Sequence, residues 1–292
     1  LLTAALGGCS IQRFAINSVG DLLSTGTSVY ETESDPELVE SALPFGLKLI
    51  ESLLAEQPEH RGLLLAAARG YTLYVYAFVS LPAQEASRDD IDEAQALRQR
   101  SRNLALRAHG YALRVLELDY PELDGALRAD PDGALLQVAM PERDVPALYW
   151  SAVSLGLAIS SSRNEPALLA RLPEVEAMLQ RALVLDEAWN AGALHELAIS
   201  LAGSGAASAD DAALEDHYAR ALELSAGSNA GIHVTFAEAV AVPAQDRARF
   251  LELLERALAV DIEAYPEQRL LNVLAQRRAR SLLDNVDELI LE

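Results

Sequence analysis

The clearest pattern in the chain lies between Asp89 and Leu118. There Ile91, Ala94, Leu97, Leu104, Ala108, Tyr111 and Val115 recur at steps of three or four residues or their sum. That period puts them on one stripe of a helix. Asp89, Asp90, Asp92 and Glu93 crowd its start, and Arg98, Arg100, Arg102 and Arg107 follow. This order suits the helix macrodipole, positive at its N-terminus. The same period runs through most of the chain from Asp35-Pro36-Glu37 onward, where an aspartate cap with proline in the first turn marks a helix start. No stretch alternates as a half-buried strand does, and short Pro/Gly/Asp/Asn clusters supply the breaks.

The helices of the second half repeat. Arg181-Ala182-Leu183-Val184-Leu185-Asp186 returns as Arg220-Ala221-Leu222-Glu223-Leu224-Ser225, 39 residues later, and as Arg256-Ala257-Leu258-Ala259-Val260-Asp261 after a further 36. Leu116-Glu117-Leu118-Asp119 and Leu53-Leu54-Ala55-Glu56 are weaker copies. A helix end recurring at such a period is the signature of degenerate tetratricopeptide-type (TPR-like) hairpins. A lone hairpin leaves an apolar face open, so neighbours stack into a superhelix with a concave side. The expectation is all-α: a superhelical stack of TPR-like hairpins forming one domain over residues 35–292.

Composition changes this picture in two ways. Acidic residues number 44 against 23 basic ones, a formal net charge of −21. Such a surface repels phosphate backbones, which argues against nucleic acid as a partner. Lys48 is the only lysine, and no Gly-Lys-Ser/Thr phosphate loop exists. The single cysteine, Cys9, follows Leu6-Gly7-Gly8 and an apolar start, Leu1 to Ala5. Small residues before a cysteine at the end of an apolar stretch fit a lipoprotein signal, whose thiol takes the lipid. Residues 1–9 read as the end of such a signal and 10–34 as a Ser/Thr/Gly-rich tether or docking segment. Membrane attachment then needs only the lipid anchor. Ser10, in place of an aspartate after the cysteine, is compatible with the outer membrane. Val145 to Ser162 is uncharged and nearly long enough to span a bilayer, yet Pro146 and its serines favour a buried helix.

Candidate chemistry is sparse. His195-Glu196 begins like a zinc-protease helix, but the position four residues on is Ile199. Gly203-Ser204-Gly205 lacks the frame of a nucleophile elbow. Neither catalysis nor a cofactor is indicated. For binding, Tyr71, Tyr74 and Phe78 share a face and read as core. Tyr149 and Trp150 sit on the uncharged helix and want hydrogen-bond partners. His195 maps to the concave side of its repeat, with Trp189, Asn190, Asn229 and His233 at the turns and helix starts beside it. Arg277 and Arg278 suit an organic acid, or equally the surplus carboxylates.

Several segments together carry a family resemblance. They are Asp35-Pro36-Glu37-Leu38, Ala42 to Glu51, Tyr74 to Val79, Val145 to Trp150, Gly192-Ala193-Leu194-His195-Glu196 and Asn272 to Ala279. In this order the chain resembles the T component associated with tripartite ATP-independent periplasmic (TRAP) transporters. The resemblance implies a periplasmic TPR-like lipoprotein that forms trimers and binds the transporter's substrate-binding P component. It also implies a crevice for a small hydrophobic or organic-acid ligand. The alternative is a TPR lipoprotein scaffold for envelope complexes that holds no ligand.

Overall fold

The computed structural model describes residues 29–86, 90–203 and 211–291. Cys9, residues 10–28 of the expected tether, Asp89 and the Ser204-Gly205 pair lie outside them. Helices appear where the apolar period predicts, and no strand occurs among the described residues. The α-helices of the described residues are α1 (Pro36–Glu56), α2 (Arg61–Val75), α3 (Leu81–Ala86), α4 (Ile91–Glu117), α5 (Leu123–Ala129), α6 (Pro131–Leu136) and α7 (Val145–Ser160). After these come α8 (Pro166–Leu169), α9 (Leu172–Leu185), α10 (Ala193–Gly203), α11 (Asp211–Ser225), α12 (Gly231–Phe236), α13 (Arg247–Ala259), α14 (Arg269–Asp284) and α15 (Val286–Leu289). This is a single all-α domain whose contacts gather into two compact units. One comprises Glu40–Ala139 and Pro146–Val175; the other comprises Met140–Val145, Glu176–Glu292 and the segment ending at Val39.

Local rules set the helix starts. Asp35 accepts from the Leu38 amide at 3.1 Å, with Pro36 in the first turn. Asp90 caps α4 through the Glu93 amide at 2.9 Å, and Asp130 caps α6 through Gly133, with Pro131 at its start. Each side chain satisfies one of the amides a helix start leaves unpaired.

In the first unit α2 packs along α4, with Leu63, Leu64, Ala67 and Ala68 all but inaccessible. Tyr71, Tyr74 and Phe78 are buried, as their helical spacing suggests. A π-helical stretch, Tyr76–Ser80, joins α2 to α3. Arg61–Ala86 is long and apolar enough to cross a membrane, but most of that stretch is buried in the protein, as in a core helix. The stripe on α4 is buried at Ala94, Ala108 and Val115 but not at Ile91, which is 74% exposed. Ile91 at the start of α4 therefore lies outside the packed part, while Ala94, three residues on, is already inaccessible. Between Leu97 and Leu104 the stripe contains Ser101, fully buried, whose hydroxyl joins those of Ser80 and Ser161 at 2.8 and 2.7 Å. The uncharged helix α7 is buried through Leu148, Ala152, Leu155 and Ala158.

In the second unit the helices pack in succession: α10 on α11 and α12, α12 on α13 and α14, α13 on α14. The recurring Arg-Ala-Leu motif falls at the ends of α9, α11 and α13, so its period is one helix pair. Its alanines, Ala182, Ala221 and Ala257, are fully buried, because only a small side chain lets the next helix approach that closely. Phe236, Phe250, Ile232 and Leu254 fill the core around Ala221 and Ala257. Asn272 of α14, itself inaccessible, accepts from the Ala230 amide and donates to the Ser228 carbonyl, both at 2.8 Å. The end of the expected tether also belongs here: the Leu270 amide donates to the Glu31 carbonyl at 2.9 Å, and Arg269 to that of Thr32.

Candidate functional site

The sequence candidates of the second unit fall into separate polar clusters. The first begins at a left-handed turn. Asn190 (φ 50°), Ala191 (φ 52°) and Gly192 (φ 88°) all occupy the region that L-residues avoid. Glycine is required at the last of them. A Cβ on Gly192 would lie 3.0 Å from both the Cα and the carbonyl oxygen of Ala221. The turn, with Trp189 half-buried and Asn190 exposed beside it, folds the chain between α9 and α10 so that Glu187 meets His195.

His195 is buried, with 6% of its surface exposed, instead of lying open on a groove. Its Nε2 is 3.2 Å from Glu187 Oε1, and its Nδ1 is 2.8 Å from Nδ1 of His217 on α11. Arg220 clamps the same carboxylate through two hydrogen bonds of 2.9 and 3.0 Å. That clamp holds Glu187 below the usual carboxylate range, so the group only accepts. The Nε2 of His195 therefore carries the proton and donates to Glu187, and its Nδ1 lone pair faces His217. Burial first, and the neighbouring imidazole next, push His195 down; burial does the same to His217.

A second cluster surrounds Glu196. Its carboxylate accepts from Asn229 Nδ2 at 2.9 Å and Thr235 Oγ1 at 3.1 Å, both neutral donors, and burial raises it above the usual range. Asn229 also accepts from the Gly231 amide at 2.8 Å. It thus serves as the start of α12 and as a partner of Glu196 at once. In a third cluster His233, buried, accepts at Nδ1 from the Tyr218 hydroxyl at 2.7 Å. Burial, aided by the charge of Arg256, lowers it to about 4.

The two arginines settle on carboxylates. Arg277 holds Glu37 in a fork of 2.5 and 3.1 Å, and that pair lowers Glu37 to about 2. Arg278, 8% exposed, reaches Glu238 at 2.5 Å. Arg277 makes its pair at the surface, its side chain 47% exposed, whereas Arg278 is buried.

Tyr149 and Trp150, in the first unit, are half-buried and meet edge to face at 4.9 Å. Two clusters there escaped the sequence reading. One is aromatic: Tyr71 stacks on Tyr111 at 6.1 Å, Tyr111 donates to Glu51 at 2.9 Å, and Arg107 lies over the Tyr71 ring. The other gathers His109, Asp124 and Glu174 closely enough to hold a metal ion. Its centre is taken by a guanidinium. Arg171 binds Glu174 at 2.9 and 2.8 Å, and its Nη2 lies 2.9 Å from His109 Nε2. The His109 proton therefore sits on Nδ1, between the Ser151 carbonyl at 3.1 Å and the Ser151 hydroxyl oxygen at 3.0 Å. Burial, then the Arg171 charge, lower His109 to about 4. An arginine already supplies the positive charge that a metal would bring, so this trio is a structural ion network.

These clusters couple residues as far apart in sequence as His109 and Arg171, 62 positions, or Glu37 and Arg277, 240 positions. Only the adjacency of His195 and Glu196 was visible in the sequence.

The chain matches the family described as TRAP transporter T-component over residues 32–290. It is also 31% identical, over 303 aligned positions, to an uncharacterized protein of Treponema pallidum (strain Nichols), covering 98% of this chain and 94% of the relative. The family match begins within the segment docked on α14, and it runs through every helix described above. The chain belongs to the TRAP transporter T-component family.

Proposed function

We propose that the protein is a periplasmic accessory component of a TRAP-type solute transporter, lipid-anchored through Cys9, which binds the substrate-binding P component and does no chemistry of its own. The observation that carries this reading is the family match, which spans both compact units. In this reading the repeated helix pairs of the second unit are TPR-like hairpins, stacked to present a recognition surface, and the protein acts as a homotrimer. A small hydrophobic or organic-acid ligand passes between the T and P components. Catalysis has little support in the clusters described: the histidines pair with tyrosine, arginine, carboxylate or one another, and Ser151, whose hydroxyl lies 3.0 Å from His109 Nδ1, is fully buried.

One observation favours the second reading, an envelope scaffold without a ligand. The buried polar groups of the second unit largely satisfy each other: His233 with Tyr218, Arg278 with Glu238, and Asn272 with the 228–230 backbone. A binding crevice would be expected to leave some of them to the ligand.

The test is a pull-down with the folded chain as bait against the periplasmic fraction of its own host, read by mass spectrometry. A TRAP-type substrate-binding protein retained in stoichiometric yield supports the transporter reading. Recovery of envelope-assembly proteins without it supports the scaffold.

A further inference from the structure

We propose that the face of the first unit formed by an arginine row on α4 and the outer stripe of α1 docks an acidic amphipathic helix of a partner protein. Only this surface enters the proposal, so it stands whether or not that partner is a transporter component.

Charge is spread very unevenly along the chain. Acidic residues outnumber basic ones by 44 to 23, yet α4 from Ala94 to Leu116 holds five arginines and no acidic residue. α2, which packs along it, has no acidic residue either. Arg100, Arg107 and Arg114 stand seven residues apart and so form one row along α4. Its steps are about 10.5 Å. All three arginines are exposed. Each guanidinium lies over a tyrosine ring, Tyr74, Tyr71 and Tyr111 in turn, at 5.5, 5.5 and 5.8 Å from the centroid.

Many other arginines of the chain close on carboxylates, as Arg102 does on Glu165 from another side of α4, and Arg128 on Asp124. The row is different. Arg100 donates to the Tyr74 hydroxyl at 3.0 Å and Arg114 to the Pro58 carbonyl at 2.5 Å, both neutral acceptors. Arg107 has Glu51 at 3.4 Å, a carboxylate it shares with Lys48 and Tyr111. Neutral acceptors leave the charge of a guanidinium uncompensated, while the ring beneath holds the group in place. Less side-chain freedom is then lost when a carboxylate arrives.

Glu51 joins this row to α1. Lys48 binds the same carboxylate at 2.6 Å. Phe45, three residues before that lysine, is 77% exposed, and Leu49, next to it, 46%. With half-buried Ala42 these two recur at steps of three and four residues, on the side of α1 turned away from the buried Leu43 and Leu47. From Ser41 to Ile50 the only charged residue is Lys48.

This combination selects the partner. An exposed phenylalanine, an aliphatic neighbour and arginines fixed on tyrosines have the composition of an interface centre, not of a solvated face. The heptad interval on α4 matches a helix whose carboxylates recur every seven residues, with apolar residues beside them to cover Phe45 and Leu49. At physiological ionic strength charges are screened beyond about 8 Å. An approaching acidic helix therefore responds to the local row and not to the net charge of −21.

The experiment titrates the full chain into a fluorescein-labelled helical peptide of about three heptads, with leucines along one face and a glutamate beside them in each heptad. Fluorescence anisotropy should show saturable binding of one peptide per chain that weakens as salt is raised. A peptide of the same composition, with its glutamates opposite the leucines, should bind at least about tenfold more weakly. Arg100→Gln combined with Arg114→Gln should weaken binding about tenfold or more, and so should Phe45→Ala. Arg163→Gln combined with Arg280→Gln removes the same charge from exposed arginines elsewhere and should leave binding unchanged. The two peptides and the salt series are compared on the unaltered protein, so they decide the matter even if a variant folds poorly. Equal binding of both peptides, binding that survives the paired α4 substitutions, or no saturable binding would overturn the proposal. A multimer of the chain alone that Phe45→Ala dissolves would also overturn it, since the face would then belong to a second copy. So would capture by phosphatidylglycerol vesicles through the same arginines without peptide binding, which would make the face a lipid contact.

Discussion

Burial decides the charge state of the histidines, and this gives the protein an acid sensitivity that can be measured residue by residue. His109 and His233 are both lowered to about 4 by burial. Between that value and the ordinary histidine range the unfolded chain binds protons that the native state refuses. Stability from these groups is therefore complete above about pH 6.5 and is lost as the pH falls toward 4. The net charge of −21 acts in the opposite sense, since acid relieves self-repulsion. The comparison must therefore be with a variant. Denaturant midpoints measured from pH 7.5 to 4.5 should fall more steeply for the native protein than for His109→Gln. Parallel curves would mean that His109 is not held neutral. At the left-handed turn, Gly192→Ala combines positive φ with a clash against the Ala221 backbone. It should cost about 1–3 kcal/mol of unfolding free energy by denaturant titration. Little of this was legible beforehand. Asn190 is the one residue of the turn, besides the glycine, whose type tolerates a left-handed backbone. The partners of His195 and His109 lie on other helices or in the turns between helices, so spacing along one helix could not name them.

At the scale of elements the sequence was far more informative, because helix caps and apolar stripes are local. Asp35-Pro36 starts α1 as read, and the helix read over 89–118 is α4, Ile91–Glu117. The recurring Arg-Ala-Leu motif marks every second helix of the later half, and its buried alanines explain why that position repeats. The reading missed Ser101. A seven-residue step between Leu97 and Leu104 conceals a serine at a buried place, and the hydroxyls of Ser80 and Ser161 are what make it tolerable there. It left 10–34 as a tether or docking segment, and the end of that segment is tied to α14 by the Leu270 amide on the Glu31 carbonyl and the Arg269 side chain on the Thr32 carbonyl. Asn272 is the polar tie between α14 and the start of α12. Asn272→Leu would strand the Ala230 amide and the Ser228 carbonyl, each a desolvated group. The loss should be about 1–3 kcal/mol for each stranded group, read by chemical unfolding. Phe250→Ala, at a fully buried site of α13, should cost about 3–5 kcal/mol in the same assay.

For the whole molecule, composition and ordered motifs proved sufficient to place the chain in its family, and the match over residues 32–290 agrees with the segments that suggested it. The acidic surface argues for a protein partner over a nucleic acid. The central claim is that this T component works by binding a substrate-binding protein. Its most direct test is sedimentation velocity of the purified chain mixed with the TRAP-type substrate-binding protein of the same organism. The account predicts a faster-sedimenting species of fixed stoichiometry that contains both chains. Independent sedimentation of the two proteins at concentrations well above those of the periplasm would contradict it.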